Sequence, residues 1–163
     1  MPPVAPAEPE GSARWFAVHD PNTLLSAVPP QSPLHVLIVE DHAQVRDVVA
    51  RALRAAGFAT FEAKDAGEAR ALLEVVHVDA VVLDVALPGS LNGVQLGRWI
   101  RLRNTDVPLV FISGLTEWEI PEPIPTDAAT RFLRKPFGAR VIVDYVCNLL
   151  APRLNLGALA SEF

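Results

Sequence analysis

Several short apolar runs in this chain each lead into polar side chains whose types suit a metal ion and a phosphoryl group. These side chains are Glu40 and Asp41, Asp84, Ser113 and, one residue beyond its run, Lys135. Near-continuous apolar runs of this length are typical of parallel strands that are buried on both faces. Because the carboxyl ends of such strands lie along one edge of the sheet, we expect these side chains to converge there.

The converging set would contain three carboxylates, one hydroxyl and one ammonium group. Oxygen ligands of this kind suit Mg²⁺, which takes one or two carboxylates and keeps several waters. A bound dication would also relieve the repulsion between the carboxylates. A carboxylate such as Asp84 can act as a nucleophile and become an aspartyl phosphate, and Lys135 offers a positive charge to a phosphate oxygen. The set therefore predicts a magnesium-dependent phosphoryl site.

The elements that must position this site alternate strictly between strand and helix. Strands are predicted at 34–39, 58–62, 79–83, 108–112 and 130–133, and helices at 43–56, 66–76, 92–103 and 138–150. This alternation indicates right-handed crossovers and an α/β fold with a doubly wound parallel sheet. In the first helix, the i, i+3, i+4 spacing predicts an inward face made of Val45, Val48, Val49, Ala52, Leu53 and Ala56.

The 163 residues predict one domain with additional chain at both ends. Residues 1–33 are rich in proline and alanine and are expected to form a flexible arm, residues 34–150 the domain, and residues 151–163 a short tail. Within the arm, Trp15–Val18 either folds back onto the domain or docks onto a partner, and the sequence leaves both open.

Composition argues against several classes of protein. The net charge of −5 provides no basic footprint for nucleic acid. The single cysteine, Cys147, allows no disulfide within the chain and has the spacing of a core residue, which fits a reducing cytoplasm. The first residues do not resemble a signal peptide, and no apolar run reaches membrane-spanning length. We therefore expect a cytoplasmic protein without nucleic-acid or membrane partners.

Taken in order, these motifs resemble the receiver domain of two-component response regulators, the CheY-like family. The resemblance covers residues 34–150 and depends on Val36–His42, Ala63–Ala69, the loop from Asp84 to Gly93, Ser113, and Ala129–Phe137. It implies a flavodoxin-like, five-stranded parallel sheet of order 2-1-3-4-5 with helices on both faces.

The resemblance also assigns a role to each site residue. Asp84 corresponds to the phosphoacceptor, and Mg²⁺ would be held by Glu40, Asp41, Asp84 and the backbone carbonyl of Ala86. Ser113 and Lys135 correspond to the phosphate-binding hydroxyl and lysine. Phe132 occupies the position of a rotating switch aromatic, and Gly114 would leave room for the phosphoryl group. Lys135-Pro136 resembles a junction at which a cis bond aims the lysine.

The chain departs from the family pattern at two places. The loop from Asp84 to Gly93 is longer than usual. Where most receivers have a fourth helix, Pro121, Pro123 and Pro125 alternate, and each removes a backbone N–H and disfavours helix before it. We expect that helix to be reduced or absent, and residues 115–128, here called the proline segment, to form an extended, mobile loop. A receiver subgroup with a disordered fourth helix is loosely similar.

Function is expected to follow the resemblance. The first hypothesis is a stand-alone response regulator that accepts a phosphoryl group from a sensor histidine kinase or a histidine phosphotransfer protein. It would signal by phosphorylation-dependent binding to an unknown protein target, and the resemblance also allows a homodimer. The second hypothesis is a receiver-shaped interaction module that acts without phosphorylation.

Two other readings of the site are disfavoured. An aspartate-nucleophile phosphatase would need a second acid where Ala86 stands, so we expect no enzyme beyond self-phosphorylation. A flavodoxin-type cofactor binder would need a polar phosphate loop where Glu40–His42 stands. Beside these acids, His42 favours a solvated position at the start of a helix over a role as a metal ligand.

Overall fold

The computed structural model describes residues 32–104 and 106–159, with side chains described as far as residue 152. Residues 1–31 of the predicted arm, including Trp15–Val18, and residues 160–163 lie outside the described residues. The strands are β1 (His35–Val39), β2 (Ala59–Ala63), β3 (Ala80–Asp84), β4 (Leu109–Ser113) and β5 (Thr130–Arg134). The α-helices are α1 (Ala43–Ala55), α2 (Ala66–Val75), α3 (Gly93–Arg103) and α4 (Ala139–Leu159).

The strands form one five-stranded sheet of order β2-β1-β3-β4-β5, and every described pairing is parallel. The predicted doubly wound fold and strand order are therefore confirmed. Three of the strands, β2, β3 and β4, begin and end one residue later than predicted. Asp84 pairs with Ile112 and Ser113 with Arg134, so that two site residues end their strands rather than follow them.

The core consists of two apolar layers, because alternate residues of a strand face opposite sides of the sheet. On one side Leu37, Leu83 and Phe111 pack with α2 and α3, and on the other Ile38 and Val82 pack with α1 and α4. Both layers are closed to solvent at the central strands, where β3 and β4 are buried along their whole length. This makes the carboxyl edge of the sheet a rigid platform.

The inward face of α1 is narrower than the sequence pattern predicts. Val49, Ala50 and Leu53 are buried, whereas Val48 is 51% exposed. Val48 lies at the margin of the apolar stripe, and α4, which packs beside α1 on the sheet, does not cover it. Cys147 is buried on α4, as predicted for a core residue.

No regular helix spans the proline segment, which confirms the prediction of a reduced or absent helix. It contains a single 3-10 turn at Glu117–Glu119, followed by a bend at 121–122 and irregular backbone through the remaining prolines. Ile120 and Ile124 are 8% and 7% exposed and join the apolar layer under α2 and α3. The segment is thus fastened to the core at two points, and its mobility stays a prediction.

The predicted end of the last helix, at residue 150, is wrong. It continues to Leu159, so that residues 151–159 extend α4 instead of forming a separate tail. Pro152 lies inside the helix and removes one backbone donor. Ala151 and Leu154 beside it are good helix formers, so that the helix is interrupted only at the proline itself.

Among the described residues, no helix is both long and apolar enough to cross a membrane.

Candidate phosphoacceptor and metal site

The acidic loop after β1 is fixed by backbone contacts. Glu40 donates its N–H to the carbonyl of Ala63 at 3.1 Å, which continues the β1–β2 pairing beyond the strand. Arg46, one turn into α1, donates from Nη1 to the carbonyl oxygen of Glu40 at 2.7 Å. Glu40 is fully buried, while Asp41 beside it keeps 30% of its side chain exposed. The loop therefore presents one buried and one accessible carboxylate.

Asp84 ends β3 at the centre of the same edge, and it is 3% exposed. Its Oδ1 accepts the backbone N–H of Ala86 at 3.1 Å, and its Oδ2 accepts from Lys135 Nζ at 2.9 Å. Both oxygens are held in place, and each carboxylate oxygen retains acceptor capacity for a further partner. Asp84 is thus a carboxylate held in a fixed position at the carboxyl edge of the sheet.

Lys135 joins the acids of β1 and β3 from the end of β5. Its backbone N–H donates to the carbonyl of Ser113 at 2.7 Å, and the Lys135-Pro136 peptide bond is cis. Its Nζ donates to Glu40 Oε2 at 2.6 Å and to Asp84 Oδ2 at 2.9 Å. One ammonium group therefore bridges two buried carboxylates that come from different strands.

The negative charges of Glu40 and Asp84 are only partly neutralised by Lys135. Burial is the largest influence on Glu40 and raises its pKa, and the charge of Asp84 adds to the rise, although Lys135 opposes both. Burial lowers the pKa of Lys135, but the hydrogen bonds and charges of Glu40 and Asp84 raise it by more. Two carboxylates thus share one cation in a partly desolvated place, where additional positive charge would be favourable.

The possible ligand atoms around these charged groups suit a divalent cation. Glu40, Asp41, His42 and Asp84 each bring one ligand atom to within 4.8 Å of the others. Three of these ligands are carboxylate oxygens, the type that Mg²⁺ requires. Ala86 adjoins the set through its bond to Asp84, and the role of its carbonyl as a ligand stays a prediction.

The remaining predicted residues lie at different distances from this centre. Ser113 is buried at the end of β4, and its Oγ accepts the N–H of Leu115 at 3.1 Å. Beside it, the position of a Cβ on Gly114 has no neighbour within 4 Å, so this side of the edge is open. Phe132 pairs with Phe111 in the middle of β5 and is half-buried against the core.

The loop between Asp84 and α3 is anchored by Gly93. The N–H of Gly93 donates to the carbonyl of Val85 at 2.9 Å. A Cβ at Gly93 would lie 1.8 Å from the carbonyl oxygen of Asp84, so that only glycine fits here. The loop therefore returns to pack directly on the backbone of Asp84, despite its additional length.

A cluster of polar contacts around Glu122, near this loop, was not predicted from the sequence. Glu122 of the proline segment accepts from Asn92 Nδ2 at 2.9 Å, Gln95 Nε2 at 3.1 Å and Arg98 Nη1 at 3.2 Å. Asn92 and Gln95 also form the capping box of α3. The capping box is readable from the sequence, whereas a partner 30 residues away is not. Through Asn92 and Gly93, the proline segment is fastened next to the Asp84 loop.

Comparisons with known proteins agree on one family for this chain. The family described as response regulator receiver domain matches residues 36–147. The aerobic respiration control protein ArcA of Escherichia coli is 33% identical over 133 residues, which cover 81% of this chain and 54% of that protein. This chain thus spans about half the length of that relative.

Two further relatives extend the comparison. The sensor kinase CckA of Brucella abortus is 36% identical over 117 residues, 71% of this chain and 12% of the kinase. A solved response regulator receiver protein from Sinorhizobium medicae is 25% identical with a TM-score of 0.66, covering 75% of this chain and 98% of that one. The residues matched by the family model, 36–147, include Glu40, Asp84 and Lys135.

Proposed function

This chain belongs to the response regulator receiver family, and we propose that it accepts a phosphoryl group on Asp84 from a sensor histidine kinase or a histidine phosphotransfer protein. The observation that carries the proposal is the convergence of Asp84, Glu40 and Lys135, with Nζ within 2.9 Å of both carboxylates. Receiver domains of this family accept phosphoryl groups, and the buried carboxylate at the centre of the edge is the candidate for that role.

In the proposed reaction, an oxygen of Asp84 attacks the phosphorus of a phosphohistidine. The new O–P bond forms as the P–N bond of the donor breaks, and the histidine leaves with the electron pair of that bond. Phosphoryl transfer depends mostly on positioning and charge neutralisation. Mg²⁺ held by Glu40, Asp41, Asp84 and the Ala86 carbonyl would supply that neutralisation when bound.

The other residues of the edge have supporting roles in this proposal. Lys135, which already contacts Asp84, pairs with an oxygen of the phosphoryl group after transfer. The Ser113 hydroxyl accepts the N–H of Leu115 and keeps its own hydrogen to donate to a second phosphoryl oxygen. Gly114 leaves the approach open, and Phe132 is the proposed switch aromatic.

We propose that the signal leaves the domain through a phosphorylation-dependent protein interaction of a stand-alone receiver, without an enzymatic output. The unmodified proline segment, fastened beside the Asp84 loop, is the candidate for the part that changes. The proposed phosphodonors place this exchange in the cytoplasm, and a homodimer is compatible with it. The alternative is an interaction module of the same shape that works without phosphorylation.

Uptake of phosphate from a small donor separates these two proposals. The full chain is incubated with phosphoramidate or acetyl phosphate, with Mg²⁺ or with a chelator, and its intact mass is measured. We expect one phosphoryl adduct that needs the cation and is absent from Asp84→Asn. Asp144→Asn, a partly exposed acid on α4, is the matched control and should still form it. No adduct in the wild type would leave the phosphorylation-independent module as the better account.

A further inference from the structure

His42 stands at the acidic site in a position that the fold does not need. It is the residue before α1, where it makes no side-chain cap hydrogen bond, and 72% of its side chain is exposed. It therefore contributes neither to the core nor to the start of the helix through its ring.

The ring nevertheless points at the carboxylates. Its Nδ1 lies 3.0 Å from Asp41 Oδ1 and 3.3 Å from Glu40 Oε1. The backbone N–H of His42 donates to the same Glu40 oxygen at 3.1 Å, which fixes the residue against the acid. The imidazole nitrogen thus belongs to the same cluster of donor atoms as the three carboxylates.

These separations are those of hydrogen bonds, and they also match the spacing of ligand atoms around one ion. In an octahedron with metal–ligand distances of about 2.1 Å, neighbouring ligand atoms lie about 3.0 Å apart and opposite ones about 4.2 Å. The Nδ1 distances to Asp41 and Glu40 fit neighbouring positions. The 4.8 Å limit of the full cluster exceeds the opposite-ligand distance by about 0.6 Å. The side chains of His42 and Asp41, 72% and 30% exposed, have room to move closer.

An imidazole changes which ion such a site prefers. Carboxylate and water ligands suit Mg²⁺, whereas a site that adds a nitrogen ligand binds first-row transition dications more tightly, since their affinity for nitrogen exceeds that of magnesium. This inference rests on the proposed function of this edge: we propose that His42 is an additional ligand of its metal ion, and that the imidazole shifts the preference of the site from Mg²⁺ towards a transition dication such as Mn²⁺.

The test uses the metal-free full chain and two cations. Mn²⁺ and Mg²⁺ affinities are measured by calorimetry for the wild type and His42→Ala, and Mn²⁺-loaded samples are examined by electron spin-echo modulation for a coupled ¹⁴N nucleus. His77→Ala, an equally exposed histidine whose side chain is 78% exposed, is the matched control. Asp41→Asn reports on the carboxylate part of the site.

We expect ¹⁴N modulation in the wild type and in His77→Ala, and its loss in His42→Ala. The same variant should weaken Mn²⁺ binding by at least about tenfold, the lower end of the loss that follows removal of a partner of a metal ligand. Mg²⁺ binding should weaken less, by under about threefold, because Mg²⁺ prefers oxygen ligands. Mn²⁺ binding that depends on Asp41 but shows no ¹⁴N coupling, or coupling that survives His42→Ala, would overturn the role of His42 alone. A wild type that binds neither ion would overturn this role and the metal site of the proposed function together.

Discussion

At the scale of single residues, Gly93 ties the Asp84 loop to its strand. We predict that Gly93→Ala lowers the free energy of unfolding by about 1–3 kcal/mol, the usual range for overpacking. The added Cβ would lie 1.8 Å from the Asp84 carbonyl oxygen, and backbone atoms must move to admit it. Urea unfolding of both proteins measures the difference.

Gly114→Ala is the control for that change, because a Cβ there meets nothing within 4 Å. Its unfolding midpoint should stay close to that of the wild type. Equal midpoints for Gly93→Ala and the wild type would show that the loop does not pack on Asp84 as described.

Two apolar residues should make the phosphorylated form long-lived. Hydrolysis of an aspartyl phosphate needs a water held in line with the O–P bond, and neither the exposed Ala86 nor the 44% exposed Leu115 can hydrogen-bond one. We predict that Ala86→Asn together with Leu115→Glu shortens the lifetime of the adduct severalfold. The decay of the adduct mass after removal of the donor measures it, and an unchanged or longer lifetime would contradict the argument.

The residues that could be predicted are those whose position the strands dictate. Apolar runs locate strand ends, and parallel strands share one edge, so that the meeting of Glu40, Asp84 and Lys135 follows from the sequence. The contacts of His42 and Glu122 could not be predicted. They depend on rotamers and on loop paths, which no local pattern encodes.

At the scale of elements, contacts of Glu122 and of two buried isoleucines, Ile120 and Ile124, attach the proline segment to the rest of the domain. Alternating prolines predict the missing helix, because each removes a donor. They do not predict where the segment docks, since the three polar contacts of Glu122 come from Asn92, Gln95 and Arg98, some 24 to 30 residues earlier in the chain. The end of α4 was likewise not predicted, because a proline normally interrupts a helix and this helix continues past Pro152.

We predict that Glu122→Ala weakens the attachment of the proline segment to α3. Amide hydrogen exchange in residues 120–126 should become faster because Asn92, Gln95 and Arg98 lose their shared acceptor. Exchange in β3 and β4 should not change. Glu119→Ala is the control, since Glu119 bonds only to Thr116 within its own turn among its described contacts. Equal exchange in all three proteins would mean that Glu122 does not hold the segment.

At the scale of the whole molecule, the sheet places charge from three strands in one desolvated location. We predict that Mg²⁺ stabilises the unmodified protein, because a ligand that binds only the native state adds about 1.4 kcal/mol at ten times its dissociation constant. Thermal unfolding should shift to higher temperature with millimolar Mg²⁺. The shift should be lost in Asp41→Asn, and a flat response of the wild type would contradict the metal site.

The central claim is that Asp84, and no other acid, carries the phosphoryl group. After phosphorylation, borohydride reduction converts an aspartyl phosphate into homoserine, and trypsin should release residues 71–98 as one peptide containing Glu74, Asp79 and Asp84. Fragmentation by mass spectrometry then assigns the reduced position among these acids. We predict homoserine at position 84 alone. A reduced residue at another acid, or an unreduced peptide from a protein that carries the adduct, would contradict it.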